Sequence, residues 1–334
     1  MRSYGSCWTE LLFPALVLLS GAANASQNLQ EPPQTIRIQV ERVNVGVIVT
    51  DARGQFVEGL RREDFHIFDS GTEQPLTDFA AVEEPAQVLL LIEAGPAVYL
   101  LEGGHLQAAF GLLNGLSAGD RVAVVKYAEA PQGILDFTTD KPAAAASFEQ
   151  LHFNLGFGSL NLSSSVSNVL EWLTQVRGKK TIVLLSTGVD TSAVNERAKM
   201  LQQLKSGDVR LLAVSLAGGL QDSPPGNKKK TAAKNPAQPA QQFAQANELL
   251  KQMAEATGGR AYFPANEKEF SAAYAEIAQL VRHEYSLAFT PPVRDGAVHS
   301  IEVRIDVPQT TTPKGAGIVY RLDHRRAYVA PAPQ

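Results

Sequence analysis

The chain has 334 residues, with 30 Lys+Arg against 34 Asp+Glu, a net charge of −4 and a sequence pI near 5.9. That balance excludes a basic nucleic-acid-binding domain. Hydrophobic residues make up 44% and charged residues 19%, a globular composition whose length predicts roughly two domains at about 150 residues each. The single cysteine, Cys7, excludes both a disulfide framework and a Cys-based zinc site.

Residues 1–25 read as an export signal. Arg2 is followed by the apolar run Leu11–Leu19, too short for a spanning helix of about 20 residues. Ala23-Asn24-Ala25 then offers small residues to a signal peptidase. Cleavage after Ala25 gives a cysteine-free, periplasmic or extracellular protein, which suits an oxidising compartment. A retained N-terminal anchor is the alternative, and Glu10 and Pro14 interrupt it. No later segment is apolar for long enough to be a transmembrane helix.

Residues 26–35 form a polar lead-in with Pro32-Pro33. A first β-rich part covers 36–84. Ile36, Ile38 and Val40, then Val43, Val45, Val47 and Val49, alternate with polar residues or glycine, the pattern of strands with one buried face. Phe65–Phe68 and Leu76–Ala81 continue it between turns. From 85 to 282 the pattern changes. Val88–Ile92, Arg121–Tyr127, Thr181–Ser186 and Val209–Leu216 are apolar runs of the kind buried on both faces of a parallel sheet. Helical spacing separates them at Leu100–Leu116, Val166–Val176 and Val194–Leu204, which predicts βαβ units. Gly218–Gln242, with Pro224-Pro225 and the basic stretch Lys228–Lys234, reads as an exposed disordered loop. Helices are expected at Phe243–Ala256 and Glu267–Arg282, with a short strand at Arg260–Phe263. Residues 283–334 return to β-structure at Tyr285–Thr290, Ile301–Val307, Ile318–Tyr320 and Ala327–Val329. The predicted fold class is α/β: a doubly wound, mostly parallel sheet inserted in an antiparallel β-sandwich formed by both chain ends.

Catalytic motifs are missing. There is no Gly-x-Ser-x-Gly elbow, and Ser163-Ser164-Ser165 has only the loop residue His152 upstream as a base. The six histidines never occur at metal-ligand spacing, and Gly103-Gly104 and Gly258-Gly259 lack the context of a phosphate loop.

Six phrases in order carry a resemblance. They are Val49-Thr50-Asp51-Ala52-Arg53-Gly54; Val57-x-Gly59-Leu60-x-x-x-Asp64-Phe65; Phe68-Asp69-x-Gly71-x-x-Gln74; Phe137-Thr138-x-Asp140; Met253-Ala254-x-x-Thr257-Gly258-Gly259-Arg260; and Tyr285-x-Leu287-x-Phe289-x-Pro291, around the apolar strands of an A-type domain. The chain resembles the bacterial VWFA-related domain proteins of the acidobacterial type, and so the von Willebrand factor A domain. The resemblance implies a non-enzymatic adhesion or assembly module. It also implies a Mg²⁺ at the C-terminal end of the sheet, held by an Asp-x-Ser-x-Ser loop, a Thr and an Asp, with one position left for a partner's carboxylate.

Here that loop reads Glu93-Ala94-Gly95-Pro96-Ala97, the Thr position falls on Ser159, and the second Asp position on Thr187. Gly95 and Ala97 supply no side-chain oxygen. One carboxylate with few hydroxyls would hardly displace the waters of Mg²⁺. The expectation is therefore a metal-free, cofactor-free site, with Glu93, Pro96, Ser159, Thr187 and Asp190 as the docking face for an unidentified protein partner. Two alternatives stand beside it. One is an adhesion module whose divalent ion is held by a rearranged set including Glu93, Glu129 or Asp190. The other is a hydrolase with an unrecognised site.

Overall fold

The computed structural model describes residues 42–80, 85–95, 110–151, 158–218, 237–306 and 320–332. All lie in the compact unit Val40–Gln334. The expected signal peptide and lead-in, the strand around Ile36–Val40, most of the helix at Leu100–Leu116 and the Lys228–Lys234 stretch lie outside the described residues.

Three sheets form the fold. Six strands make the central one: β5 (Ala86–Glu93), β6 (Arg121–Tyr127), β7 (Pro131–Thr138), β8 (Lys179–Ser186), β9 (Val209–Ser215) and β10 (Ala261–Tyr262). Their order is β10-β9-β8-β5-β6-β7. All neighbours are parallel except the β6–β7 pair at the edge. Every residue of β5 and β9 is buried, because helices cover both faces of a parallel sheet. On one face Leu90, Val124, Val183 and Leu212 pack on Ile277 and Val281 of the helix Glu267–Arg282, α5. On the other, Leu89, Val125, Ile182 and Leu211 pack on Val169 of α2 (Leu162–Leu173), Met200 of α3 (Val194–Ser206) and Met253 of α4 (Ala237–Ala256). A shorter helix, α1 (Lys141–Ser147), follows β7 and is capped by the Asp140 side chain, which accepts from Ala143 N at 2.9 Å.

Two four-stranded antiparallel sheets make the sandwich. The first, β13-β1-β11-β4, comprises Arg321–Asp323, Val43–Thr50, Tyr285–Phe289 and Leu76–Ala80. The second, β14-β12-β2-β3, comprises Ala327–Val329, Val298–Ile305, Phe65–Asp69 and Thr72–Gln74. Each mixes strands from before and after the central sheet. Val45, Val47 and Leu287 from one meet Ile67, Ile301 and Val303 from the other in a single core. This is the α/β sheet with a sandwich built from both chain ends that the sequence predicts.

Some local expectations need correction. α2 starts at Leu162 rather than Val166 and ends at Leu173, because Asp190 ties down the serine-rich first turn. α4 begins at Ala237, so residues 237–242 are helical and not loop; Pro239 falls in the first turn, where a missing N–H costs nothing. Most of the strand expected at Ile318–Tyr320 lies outside the described residues, and the described strand that follows is Arg321–Asp323, paired with β1 through Val49↔Leu322. β7 and α1 have no counterpart among the expected elements.

The central sheet and the sandwich meet around Arg210. Its Nη2 donates to Gly46 O and Glu284 Oε1, both at 3.0 Å, and its Nη1 donates to Gly258 O. A Cβ on Gly46 would stand 1.5 Å from Glu284 Oε1, so only glycine leaves room for the pair. Gly258, at φ +69°, would place a Cβ 2.1 Å from the carbonyl carbon of His324. Gly46→Ala should therefore expel Glu284 from Arg210 and cost about 3 kcal/mol, the scale of a broken buried pair. Gly133→Ala on β7, where a Cβ meets nothing within 4 Å, should stay within about 1 kcal/mol of the parent. Urea unfolding of the two variants checks both.

Candidate functional site

Strand order reverses between β5 and β8, so the crevice outside the carboxyl ends of these strands is where a doubly wound sheet places its ligands. Glu93 is the last residue of β5, and its register partner on β6 is Tyr127. Ile92 pairs with Leu185, which brings Ser186 at the end of β8 and Thr187 just after it to the same level. Alternation puts Glu93 on the face of Leu89 and Leu91, under the helices α2 and α3.

The Glu93 side chain turns into the protein and is fully buried. Its Oε2 accepts from Thr187 N at 2.8 Å, Thr187 Oγ1 at 2.9 Å, Ser186 Oγ at 3.0 Å and Tyr127 OH at 3.2 Å. Oε1 lies 3.0 Å from Thr187 Oγ1. Tyr127 OH is also 2.7 Å from Ser186 Oγ, which accepts from Gly188 N at 2.8 Å. Gly188 sits at φ +77°, where a Cβ would stand 2.6 Å from Ala246 O of α4. Burial raises the Glu93 pKa above the usual glutamate value, and the hydrogen bonds from Thr187, Ser186 and Tyr127 oppose that rise. Tyr127 is pushed up as well, first by burial and then by the Glu93 charge.

A β-sheet of this order, with its antiparallel edge strand and its reversal at β5/β8, fits the expectation from the sequence phrases. The sheet order is consistent with a von Willebrand factor A-like fold. No protein-family model matches the chain, and no curated protein matches its sequence. Solved structures do match. An aerotolerance-related membrane protein from Bacteroides fragilis is 13% identical over 59% of this chain and 98% of its own, with a TM-score of 0.43. A von Willebrand factor type A protein from Catenulispora acidiphila is 12% identical over 79% and 76%, with a TM-score of 0.45. Proximal thread matrix protein 1 of the mussel byssus is 12% identical over 60% and 49%, with a TM-score of 0.40.

The von Willebrand factor A-type metal positions do not fit a hard divalent ion in this chain. Glu93 points at internal donors rather than at the crevice. A Cβ on Gly95 would meet Leu160 Cδ2 at 3.0 Å and Glu93 Oε1 at 3.3 Å, so Leu160 fills the space a serine would use. Pro96 and Ala97 lie outside the described residues. Among the described residues no group of three His, Cys, Asp or Glu is placed to hold a metal. Glu129 is exposed and joins no such group.

The docking face expected from the sequence also needs correction. Glu93 and Thr187 are buried, and the Asp190 side chain is fully enclosed. Asp190 accepts from Ser163 Oγ at 2.5 Å, Ser192 N at 3.0 Å and Ser163 N at 3.2 Å, with Arg197 Nε at 3.5 Å. Burial would raise its carboxyl, but the hydrogen bonds from Ser163 and Ser192 outweigh burial and hold it below the usual value. Only Ser159 of the described set is exposed. Tyr127, Ser186 and Leu160 complete the site without having been singled out. The signal for Tyr127 was its place as the hydroxyl closing a strand whose centre, Val122–Val125, is apolar.

A carboxyl whose folded pKa is raised costs stability as pH climbs from the ordinary glutamate range to the folded value, because the unfolded chain ionises first. Glu93→Gln keeps an acceptor for Thr187 N and removes that pH dependence; it should stay within about 1.5 kcal/mol of the parent at pH 7. Glu93→Ala strands several buried donors and should cost about 3 kcal/mol or more. Unfolding free energies of the three proteins between pH 4 and pH 8 would reveal both effects.

Proposed function

We propose that the protein is a non-enzymatic, metal-independent adhesion or assembly module, exported after cleavage at Ala25. The observation that carries this reading is the buried Glu93 carboxylate, wired to Tyr127, Ser186 and Thr187 and covered beside Gly95 by Leu160. A von Willebrand factor A-type site that recruits a partner's carboxylate needs an ion with an open position. Here the carboxylate that would lead the ligand set already has internal partners, and two hydroxyls of the implied set are replaced by Gly95 and Ala97.

Docking at this end of the sheet then rests on packing and neutral hydrogen bonds. The exposed Ser159 and Thr191, with the half-buried Leu160 and Val189 between them, form the surface above the sealed cluster. Asn161 Oδ1 accepts from Thr191 Oγ1 at 3.0 Å and holds the two loops together. The partner is a protein of unknown identity. Among the described residues no helix is long and apolar enough to cross a membrane.

Calorimetric titration of Mg²⁺ and Mn²⁺ into the chelator-stripped protein tests the reading. The expected result is no heat of binding and a melting temperature that the ions leave unchanged. Micromolar binding that is lost in Glu93→Ala would overturn it and would make adhesion cation-dependent.

A further inference from the structure

The second sandwich sheet carries a histidine held between two carboxylates. His299, on β12, shares the inner face with Asp69 of β2 and Tyr328 of β14. Its Nδ1 is 3.0 Å from Asp69 Oδ1, and its Nε2 is 3.2 Å from Asp295 Oδ2, in the turn before β12. Asp69 is almost fully buried, and its other oxygen accepts from Tyr328 OH at 2.8 Å. Ser70 Oγ donates to Asp69 Oδ1 at 3.1 Å, and Ala297 N donates to Asp295 Oδ1 at 2.8 Å. The Tyr328 ring stands edge-on to Phe289 of the facing sheet at 5.5 Å. The cluster therefore links β2, β12, β14 and the turn into β12, and touches the opposite sheet.

Proton counting decides what this arrangement needs. An ionised carboxylate only accepts, and a neutral imidazole has one N–H. With one ring proton, one of the two contacts would set a nitrogen lone pair against carboxylate oxygens. Only the imidazolium donates on both sides. Arg325, three residues before Tyr328, points to Gly207 O at 2.6 Å.

We propose that His299 is a proton-operated latch on β14, closed when the ring carries both protons and loosened when it loses one. Hydrogen bonding to Asp295, then to Asp69, raises its proton affinity above that of an ordinary histidine. The stabilisation is thus fully present below the ordinary histidine value of about 6.5 and is lost as pH rises through the folded one. The same sheet repeats the motif on its outer face. His66 Nδ1 is 2.7 Å from Glu73 Oε1 and its Nε2 3.4 Å from Asp306 Oδ2, with Arg304 as its cross-strand neighbour. That site is more open and has a cation beside it, so it is the weaker of the two. β14 also packs against α3, so the latch bears on the joint between the sandwich and the central sheet.

Nitrogen-detected NMR of the imidazoles in the full exported chain tests the latch, with β14 amide exchange followed on the same samples. His299 should carry both ring protons at pH 7 and half-titrate above the ordinary value. Amide exchange in β14 should accelerate beyond the rise seen in β9 as pH passes that point. Asp295→Asn, a change at a partly exposed position, should lower the His299 proton affinity about tenfold. His299→Gln should lose melting temperature relative to the parent at pH 6 and converge on it at alkaline pH. If His299→Gln does not fold, the parent titration and Asp295→Asn still decide. A single ring proton at pH 7, a titration at or below the ordinary value, or an unchanged affinity in Asp295→Asn would overturn the latch.

Discussion

The guanidinium of Arg210 is the contact on which the assembly depends. It lies near the start of β9, is 4% exposed, and donates to the β1 backbone at Gly46, to Gly258 after α4, and to Glu284 just before β11. One side chain thereby joins the central sheet to both chain ends of the sandwich. Desolvating such a pair is expensive, and the attraction offsets it only where further hydrogen bonds complete the geometry. The two backbone carbonyls supply them. The requirement then spreads outward: Gly46 must be glycine to admit Glu284, and Gly258 must be glycine to admit the backbone of His324 and Arg325.

The phrases that carry the resemblance acquire their meaning from this joint and its surroundings, and the meaning is structural. Thr257 Oγ1 accepts from Leu211 N at 2.9 Å, and Arg260 binds Asp323 of β13 through Nε at 2.7 Å, so the Thr-Gly-Gly-Arg phrase is the seam itself. Tyr285 OH accepts from Leu60 N at 3.1 Å and donates to Val57 O at 2.9 Å, so one phrase tethers another across the chain. Asp51 organises its own turn by accepting from Arg53 N and Gln55 N, both at 2.8 Å. A protein can resemble a family strongly in such phrases while its binding end diverges, because seam and surface answer to different constraints.

Legibility followed burial. β5 and β9 were readable because strands covered on both faces become unbroken apolar runs, as in Val88–Ile92. β7 was not: Pro131–Thr138 lies at the edge, pairs with β6 through two register shifts, and shows no alternation. The start of α2 was hidden for another reason. Ser163-Ser164-Ser165 are indifferent helix formers, and the cap that fixes them, Asp190, is distant in sequence. At the candidate site, the position of Glu93 was legible from the phrase that follows β5, but the direction of its side chain was not. That direction is set by donors on β6 and β8, which only the strand registers bring to one level.

The consequence of that direction is electrostatic. A divalent ion at the carboxyl end of the sheet would present net positive charge and an open ligand position, and would select an acidic group on the partner. In this chain the Glu93 carboxyl is met by four neutral donors, and desolvation pushes the group toward its protonated form. On the proposed reading, this carboxyl gives the end of the sheet no ion through which to steer or anchor a partner's carboxylate. What remains at that surface is hydroxyls and aliphatic carbon around Ser159, Leu160 and Thr191, which reward shape complementarity and burial over charge. On the proposed metal-independent reading, recognition there is less sensitive to salt and chelators than cation-mediated adhesion, and more sensitive to the size of side chains such as Leu160.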